Sequence, residues 1–256
     1  MRSESELRIL PLSKSHLSEL KKLKQKKFRR LENQTLVEGR NLIEQLIANN
    51  FMPEEIITSS FEAASEFLGK TKCDIYTAKP HEINELTDTE TPQPFAALFE
   101  IPQFSLDKYK VILYLDGIRD PGNLGAIFRT AAAFSLDGIV LSPDCCEVFA
   151  PKVVRASLGS VFFLPSEVRE LAWLKTQSAQ KIGLVMDGDI RLQELTLSKA
   201  EPVIVIIGSE GSGISAEVMT AVTQKVGIPI AEKMESLNAA VSAGIAVYEI
   251  TNKLCH

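Results

Sequence analysis

Apolar positions along this chain alternate between two textures: short continuous runs and longer repeats at helical spacing. In the first part, Glu38–Asn50 carries Leu42, Ile43, Leu46 and Ile47 on one helical face, and Asn49-Asn50 stops the repeat. Glu55–Thr58 predicts a short strand, Phe61–Leu68 a helix, Asp74–Thr77 a second strand, and Pro80–Leu86 a helix opened by proline. Thr87–Pro94 is polar and holds two prolines, and a strand-like Phe95–Phe99 follows. A second proline-bearing stretch, Ile101–Asp107, places a boundary between one domain over 1–105 and another over 106–256.

Beyond that boundary the strand signals strengthen. Val111–Leu115, Gly138–Leu141, Val161–Leu164, Ile182–Met186, Val203–Ile207 and Val226–Ile230 predict strands. The most continuous of these runs suit strands with helices on both sheet faces. Asn123–Phe134, Ala150–Leu158, Glu167–Gln177, Ser215–Gln224 and Ser236–Leu254 predict the helices between and after them. The pattern is α/β: a parallel-sheet domain preceded by a smaller α/β domain.

Composition adds a core and a charge asymmetry. The 256 residues are 45% hydrophobic, enough to bury a substantial interior. The net charge is −5, yet residues 1–40 carry 11 Lys/Arg against 5 Asp/Glu. Seven of those cations stand between Lys21 and Arg30. That run is either a solvated helix face or a patch that contacts phosphates. The four cysteines, Cys73, Cys145, Cys146 and Cys255, have no CxxC spacing, so reduced thiols in a cytoplasmic protein are expected. The amino terminus shows no apolar secretory segment, and no apolar run approaches the ~18 residues of a membrane span. His16, His81 and His256 lie far from the glycine-rich stretches, which leaves Ser–His–Asp and metal chemistry without support.

Three of those stretches end strands. The first, Asp116–Arg129, holds Asp120-Pro121-Gly122-Asn123, where Asn123 can cap the helix that follows. Arg129 then stands on an otherwise apolar helix, where a cation must find an anion or stay exposed. The second, Ile207–Gly213, leads into Gly211–Ala216, which matches a dinucleotide loop, with Glu232 about 20 residues on. Too little chain follows Glu232 for that loop to open its usual series of strands. A glycine-permitted turn with Ser215 as cap explains the residues equally well. The third, Ile228–Asn238, ends in Ser236-Leu237-Asn238, either an N-cap or a set of polar groups offered to a ligand.

In order and spacing, the trio resembles the motifs of the SpoU/TrmH family of RNA ribose 2′-O-methyltransferases. Asn123-Leu-Gly125-Ala-Ile-Phe-Arg129, Gly208-Ser-Glu210-Gly-Ser-Gly213, and Ile228-Pro229 with Ser236-Leu237-Asn238 carry the likeness, over roughly 108–254. The first domain is similar to the L30e-like substrate-binding domain of that family, through Arg29-Arg30 and Leu36–Ile43. The resemblance implies a deep trefoil knot in the second domain and S-adenosylmethionine held by its loops. It implies cofactor contacts at Ile207, Gly208, Gly211, Ile228, Ile230 and Leu237. It implies catalytic roles for Asn123, Arg129, Glu210, Ser236 and Asn238, with Glu210 orienting Arg129 or a substrate group. RNA would be held by Lys21, Lys22, Lys24, Lys26, Lys27, Arg29, Arg30 and Arg40. A homodimer is also implied, as is rRNA in preference to tRNA. Two rival readings stand beside it: an NAD-dependent oxidoreductase using Gly211–Ala216, and a non-catalytic RNA-binding protein on the same fold.

Overall fold

The structure, a computed structural model, describes residues 9–88 and 93–255. The stretch 1–8, read above for a signal segment, lies outside the described residues, as do 89–92 within the 87–94 connector, the side chain of Cys255, and His256. The chain divides into two compact units. One comprises residues up to 102 together with 149–162, the other 103–148 with 163 onward.

In the first unit, strands β1 (Ile9–Pro11), β2 (Gln34–Glu38), β3 (Glu55–Thr58), β4 (Asp74–Thr77) and β5 (Phe95–Glu100) form one sheet in the order β1-β4-β3-β5-β2. β1 and β3 run parallel to β4, whereas β5 is antiparallel to β3 and β2. Helices α1 (Lys14–Lys22), α2 (Lys26–Glu32), α3 (Arg40–Ala48), α4 (Phe61–Leu68) and α5 (Pro80–Leu86) accompany it. The basic run therefore spans two helices. Ser13 opens α1 by accepting a bond from the His16 amide at 3.2 Å, and Asn33, in the left-handed region at φ 55°, ends α2. Leu17, Leu20 and Leu23 bury against Leu36, Ile57 and Leu98 of the sheet.

The second unit holds β6 (Val111–Asp116), β7 (Gly138–Leu141), β8 (Ser166–Val168), β9 (Gln180–Leu184), β10 (Ile190–Arg191), β11 (Val203–Gly208) and β12 (Gln224–Gly227). They form one parallel sheet in the order β10-β12-β9-β11-β6-β7-β8. Helices α6 (Pro121–Ala133), α7 (Pro151–Ala156), α8 (Leu171–Thr176), α9 (Ala216–Met219) and α10 (Ala239–Cys255) complete the chain, with α7 belonging to the first unit. Val203–Ile207 is buried along its whole length. Each of those side chains contributes about 1.5–3 kcal/mol by leaving water. From β6 the chain continues to β7 and β8 on one side. From β11 it continues to β12, on the other side. The chain thus leaves those two adjacent carboxyl ends in opposite directions, the arrangement that marks the usual ligand position in such a sheet. Among the described residues no helix is long and apolar enough to cross a membrane.

Several elements differ from their expected form. Val161–Leu164 is not a strand: Ser160–Phe162 forms a 3-10 turn, and Phe162 packs edge-on against Phe51, Phe99 and Phe149. A short apolar run fits a buried turn as well as a strand. The helix expected from Glu167 starts at Leu171, because Ser166–Val168 pairs with β7. β12 stops at Gly227, before Pro229, which has no N–H to donate to a neighbouring strand. The helix expected over Ser215–Gln224 is only Ala216–Met219. The first motif's helix begins at Pro121 with Asp120 as its cap, accepting from the Asn123 amide at 2.8 Å, so Asn123 is not the cap.

Candidate active site

Asp116 closes β6 directly opposite Gly208, the last residue of β11. Its carboxylate accepts a bond from the Ser215 amide at 2.7 Å, which pins the far end of the glycine loop to the neighbouring strand. Within that loop, Ser209 and Gly213 exchange backbone bonds of 3.1 and 2.9 Å, and the hydroxyls of Ser209 and Ser212 meet at 2.8 Å. The fold-back is so tight that a Cβ on Gly208 would stand 2.0 Å from the Gly213 carbonyl carbon. Glycine is required there by contact rather than by φ.

The three motifs meet through one side chain. The Asn123 amide nitrogen donates to Glu210 Oε1. Its carbonyl oxygen accepts from Asn238 Nδ2 at 2.9 Å. Asn238 Oδ1 in turn accepts from the amides of Ala240 and Val241, at 2.9 and 3.2 Å, and so caps α10. Residues 87 and 115 positions apart are thereby joined in a single hydrogen-bonded line. Glu210 and Asn238 are exposed and Asn123 is half-buried, so the line borders solvent.

The other expected residues are placed as follows. Ile207 is buried, while Gly208, Ile228, Ile230 and Leu237 are half-buried and Gly211 is exposed. Ser236 is exposed in the loop before Asn238. Arg129 is exposed on α6, six residues beyond Asn123, which turns it about 120° around the helix from that amide. Its neighbour Thr130 packs toward Gly244 of α10, with 3.8 Å between Thr130 Cγ2 and a Cβ position on Gly244. Arg129 thus stands beside the α6–α10 contact and outside the hydrogen-bonded line.

Two features escaped the sequence reading. Residues 185–189 follow β9, which lies between β11 and β12, so this loop leaves from the same sheet edge. A Cβ on Gly188 would lie 2.1 Å from the Gly227 nitrogen, so the loop crosses β12 backbone on backbone. The signal available was a glycine among acidic residues at a strand end, Asp187-Gly188-Asp189. The second feature is Cys146, whose thiol is pushed up to about 11, first by burial and then by Cys145, Asp120 and Glu210. It stays protonated at neutral pH and is no nucleophile.

The cations expected to hold RNA divide into groups. Arg29 is buried and donates to the carbonyls of Leu23 and Lys24 at 2.7 and 2.8 Å, closing the turn between α1 and α2. Lys21 pairs with Glu85, Lys22 with Glu19, and Lys24 with Asp88, at 2.6 to 2.7 Å. Arg40 pairs with Glu44 and Glu66. Lys26, Lys27 and Arg30 are exposed.

The dinucleotide reading fails on local structure. The helix after Gly211–Ala216 has four residues and no sustained N-terminus to face a pyrophosphate, and Glu232 lies exposed in a loop.

A model described as the SpoU rRNA methylase family matches residues 110–248, and one described as the MRM3-like substrate-binding domain matches 14–97. The chain is 32% identical over 234 residues to the 23S rRNA (guanosine(2553)-2′-O)-methyltransferase RlmP of Bacillus subtilis, covering 90% of this chain and 93% of that protein. It is 30% identical over 203 residues to the 23S rRNA (uridine(2479)-2′-O)-methyltransferase of Streptomyces viridochromogenes, covering 73% and 70%. The structure of an AdoMet-bound rRNA methyltransferase from Sinorhizobium meliloti aligns with a TM-score of 0.82 at 25% identity, over 98% of this chain and 99% of that one.

Proposed function

Because the chain belongs to the SpoU rRNA methylase family, we propose that it is an S-adenosylmethionine-dependent methyltransferase of ribose 2′-hydroxyls in ribosomal RNA. The observation that carries the reading is the line Glu210–Asn123–Asn238, one residue from each motif, at the carboxyl ends of β6 and β11. Unlike a retired scaffold, the chain keeps this polar line intact, which favours an enzyme over a purely binding protein.

The strand ends fit the cofactor. At Gly188 and Gly208 neighbouring backbone leaves no room for a side chain, and at Gly227 a Cβ would stand 3.3 Å from backbone, so these corners present mainly main chain. Half-buried Ile228, Ile230 and Leu237 add an apolar wall suited to an adenosine. When bound, S-adenosylmethionine supplies an activated methyl group on a sulfonium. The protein then has to orient the ribose and stabilise the alkoxide as it forms. Asn123, fixed by Glu210 and Asn238, orients the sugar. A guanidinium stays protonated at neutral pH, so Arg129 serves as the electrostatic partner of the alkoxide and its adjacent phosphate.

Arg129 faces away from the Glu210–Asn123–Asn238 line, which supports a reading in which it serves a partner subunit's site in a homodimer. Val241, Ile245 and Tyr248 form an exposed stripe on α10, and Phe134 stacks edge-on against Tyr248 at 5.9 Å. Exposed apolar side chains at helical spacing suit a second copy. The resemblance to the family also implies a trefoil crossing in the carboxyl-terminal segment, and the cytoplasm suits its free thiols.

Arg129→Ala is expected to bind S-adenosylmethionine as wild type does, by calorimetry, and to lose at least a hundredfold in methyl transfer to 23S rRNA. Wild-type turnover by that variant would remove Arg129 from the mechanism. Mixing Arg129→Ala with Asn123→Ala is expected to restore activity, because one site of each mixed dimer is then intact.

A further inference from the structure

The first unit contains a cavity of about 270 Å³ that the methyl-transfer site does not use. It lies far from the second unit's motifs in sequence, against α1, α2 and the sheet, and is lined by His16, Phe28, Glu32, Gln34 and Glu55, with Lys22 also on its wall. Resting on the reading of this protein as an RNA methyltransferase, we propose that this cavity holds one unpaired guanine of the substrate RNA, outside the nucleotide that is methylated.

Size, wall, floor and mouth each point that way. Pockets for drug-sized ligands run from about 300 to 1,000 Å³, so this one suits a single base. Phe28 and Glu32 stand four residues apart on α2 and so share a face, the aromatic ring offering a surface for a base and the carboxylate an acceptor. Gln34 and Glu55 give the floor its acceptors. Gln34 commits its amide nitrogen to Glu54, which leaves its carbonyl oxygen. Glu55 Oε2 is buried 2.8 Å from His16 Nε2 without a hydrogen bond, which leaves it able to accept one. An ionised carboxylate only accepts. Guanine presents two adjacent donors, N1–H and N2–H₂, on its Watson–Crick edge; adenine and cytosine each present one amino group and uracil a single N–H. Guanine therefore matches an acceptor floor best, and only when unpaired. His16 is itself held edge-on to Tyr76 at 4.6 Å, so the polar wall is fixed before any base arrives.

The mouth suits a polynucleotide rather than a free base. Lys22 lines the cavity, and its surface pair with Glu19 is weak enough to be exchanged for a phosphate. The Lys27 ammonium lies 5.8 Å from the Phe28 ring centroid. Cations beside a single-base pocket match the phosphates that flank a splayed nucleotide.

The test uses the full chain and labelled 11-nucleotide strands, U5-X-U5, with X as guanine, inosine, adenine, cytosine or uracil, read by fluorescence anisotropy at one salt concentration. Guanine is expected to bind about tenfold tighter than adenine, cytosine or uracil, with inosine between. Glu55→Gln and Gln34→Ala should each erase most of that preference, and Glu55→Gln should raise KM for 23S rRNA without changing kcat. Equal binding of all five strands, or a preference untouched in both folded variants, overturns the proposal. So does spermidine that fills the cavity, seen as shifts of the His16 ring resonances, while no strand moves them. If the wild type fails to methylate 23S rRNA at all, the enzymatic reading falls instead; methylation with no base preference removes only the pocket.

Discussion

Asn123 can serve both Glu210 and Asn238 because Asp120 has taken the capping position three residues earlier. An asparagine that capped α6 would spend its carbonyl oxygen on the helix. Asn238 performs both tasks, capping α10 with its oxygen and reaching Asn123 with its nitrogen. Asp is as good a cap as Asn but has no side-chain donor when ionised. Asn238→Asp should therefore melt within a few degrees of wild type while methyl transfer falls at least tenfold. Equal losses of stability and activity would reduce Asn238 to a cap. Glu38 poses a different residue-scale question. Its carboxyl lies above the ordinary value of 4.5, mainly through burial, and the Asp88 amide and Arg155 pull it only part of the way back. A carboxyl raised in the folded state holds its proton more tightly there. Its stabilising contribution is present below about 4.5 and is lost as pH rises through the raised value. Thermal melts between pH 4 and 7.5 should show the wild type losing ground to Glu38→Gln as pH rises. A gap that widens in favour of the wild type would contradict the sign.

At the scale of elements, the end of β11 depends on a glycine that touches backbone. A Cβ at Gly208 has no flexible neighbour to displace, whereas one at Gly211 has open space within 4 Å. Gly208→Ala should cost about 1–3 kcal/mol and loosen the 209–215 loop, and Gly211→Ala should leave the melting temperature unchanged. Loss of cofactor affinity in Gly211→Ala would then report direct contact, since the protein itself tolerates the methyl group. Matched melts and calorimetry of the two variants separate these outcomes. The same distinction explains what the sequence reveals of this fold. Strands such as Val111–Asp116 and Val203–Gly208 are legible because burial on both faces demands an uninterrupted apolar run. The three motifs are legible as residue types, and their resemblance to a family supplies their common purpose. The Glu210–Asn123–Asn238 line is not legible, because two cap-capable residues stand close together in both the first and third motifs and only geometry chooses between them. Nor are the distant partners of Lys21 and Arg40 legible, since Glu85 and Glu66 lie 64 and 26 residues away. The packing of 149–162 with the first unit is equally silent, for its apolar run resembles any buried strand.

For the whole molecule, α10 presents two chemistries. Ala243, Ala246, Val247 and Ile250 are buried, whereas Val241, Ile245 and Tyr248 are exposed at steps of four and three residues. A helix so buried on one side gains nothing from apolar side chains in water on the other unless a partner covers them. Arg129 belongs to the same region, because its neighbour Thr130 packs toward Gly244 on this helix. Association and catalysis should therefore fail together. Ile245→Asp places a charge in the middle of the stripe without touching the hydrogen-bonded line at Asn123. Light scattering should show the wild type at twice the chain mass and the variant at the chain mass. The variant should still bind S-adenosylmethionine and should lose methyl transfer, because no partner brings its Arg129 to the site. A monomeric variant with wild-type turnover would place Arg129 in its own subunit's site; a dimeric one would move the interface away from α10.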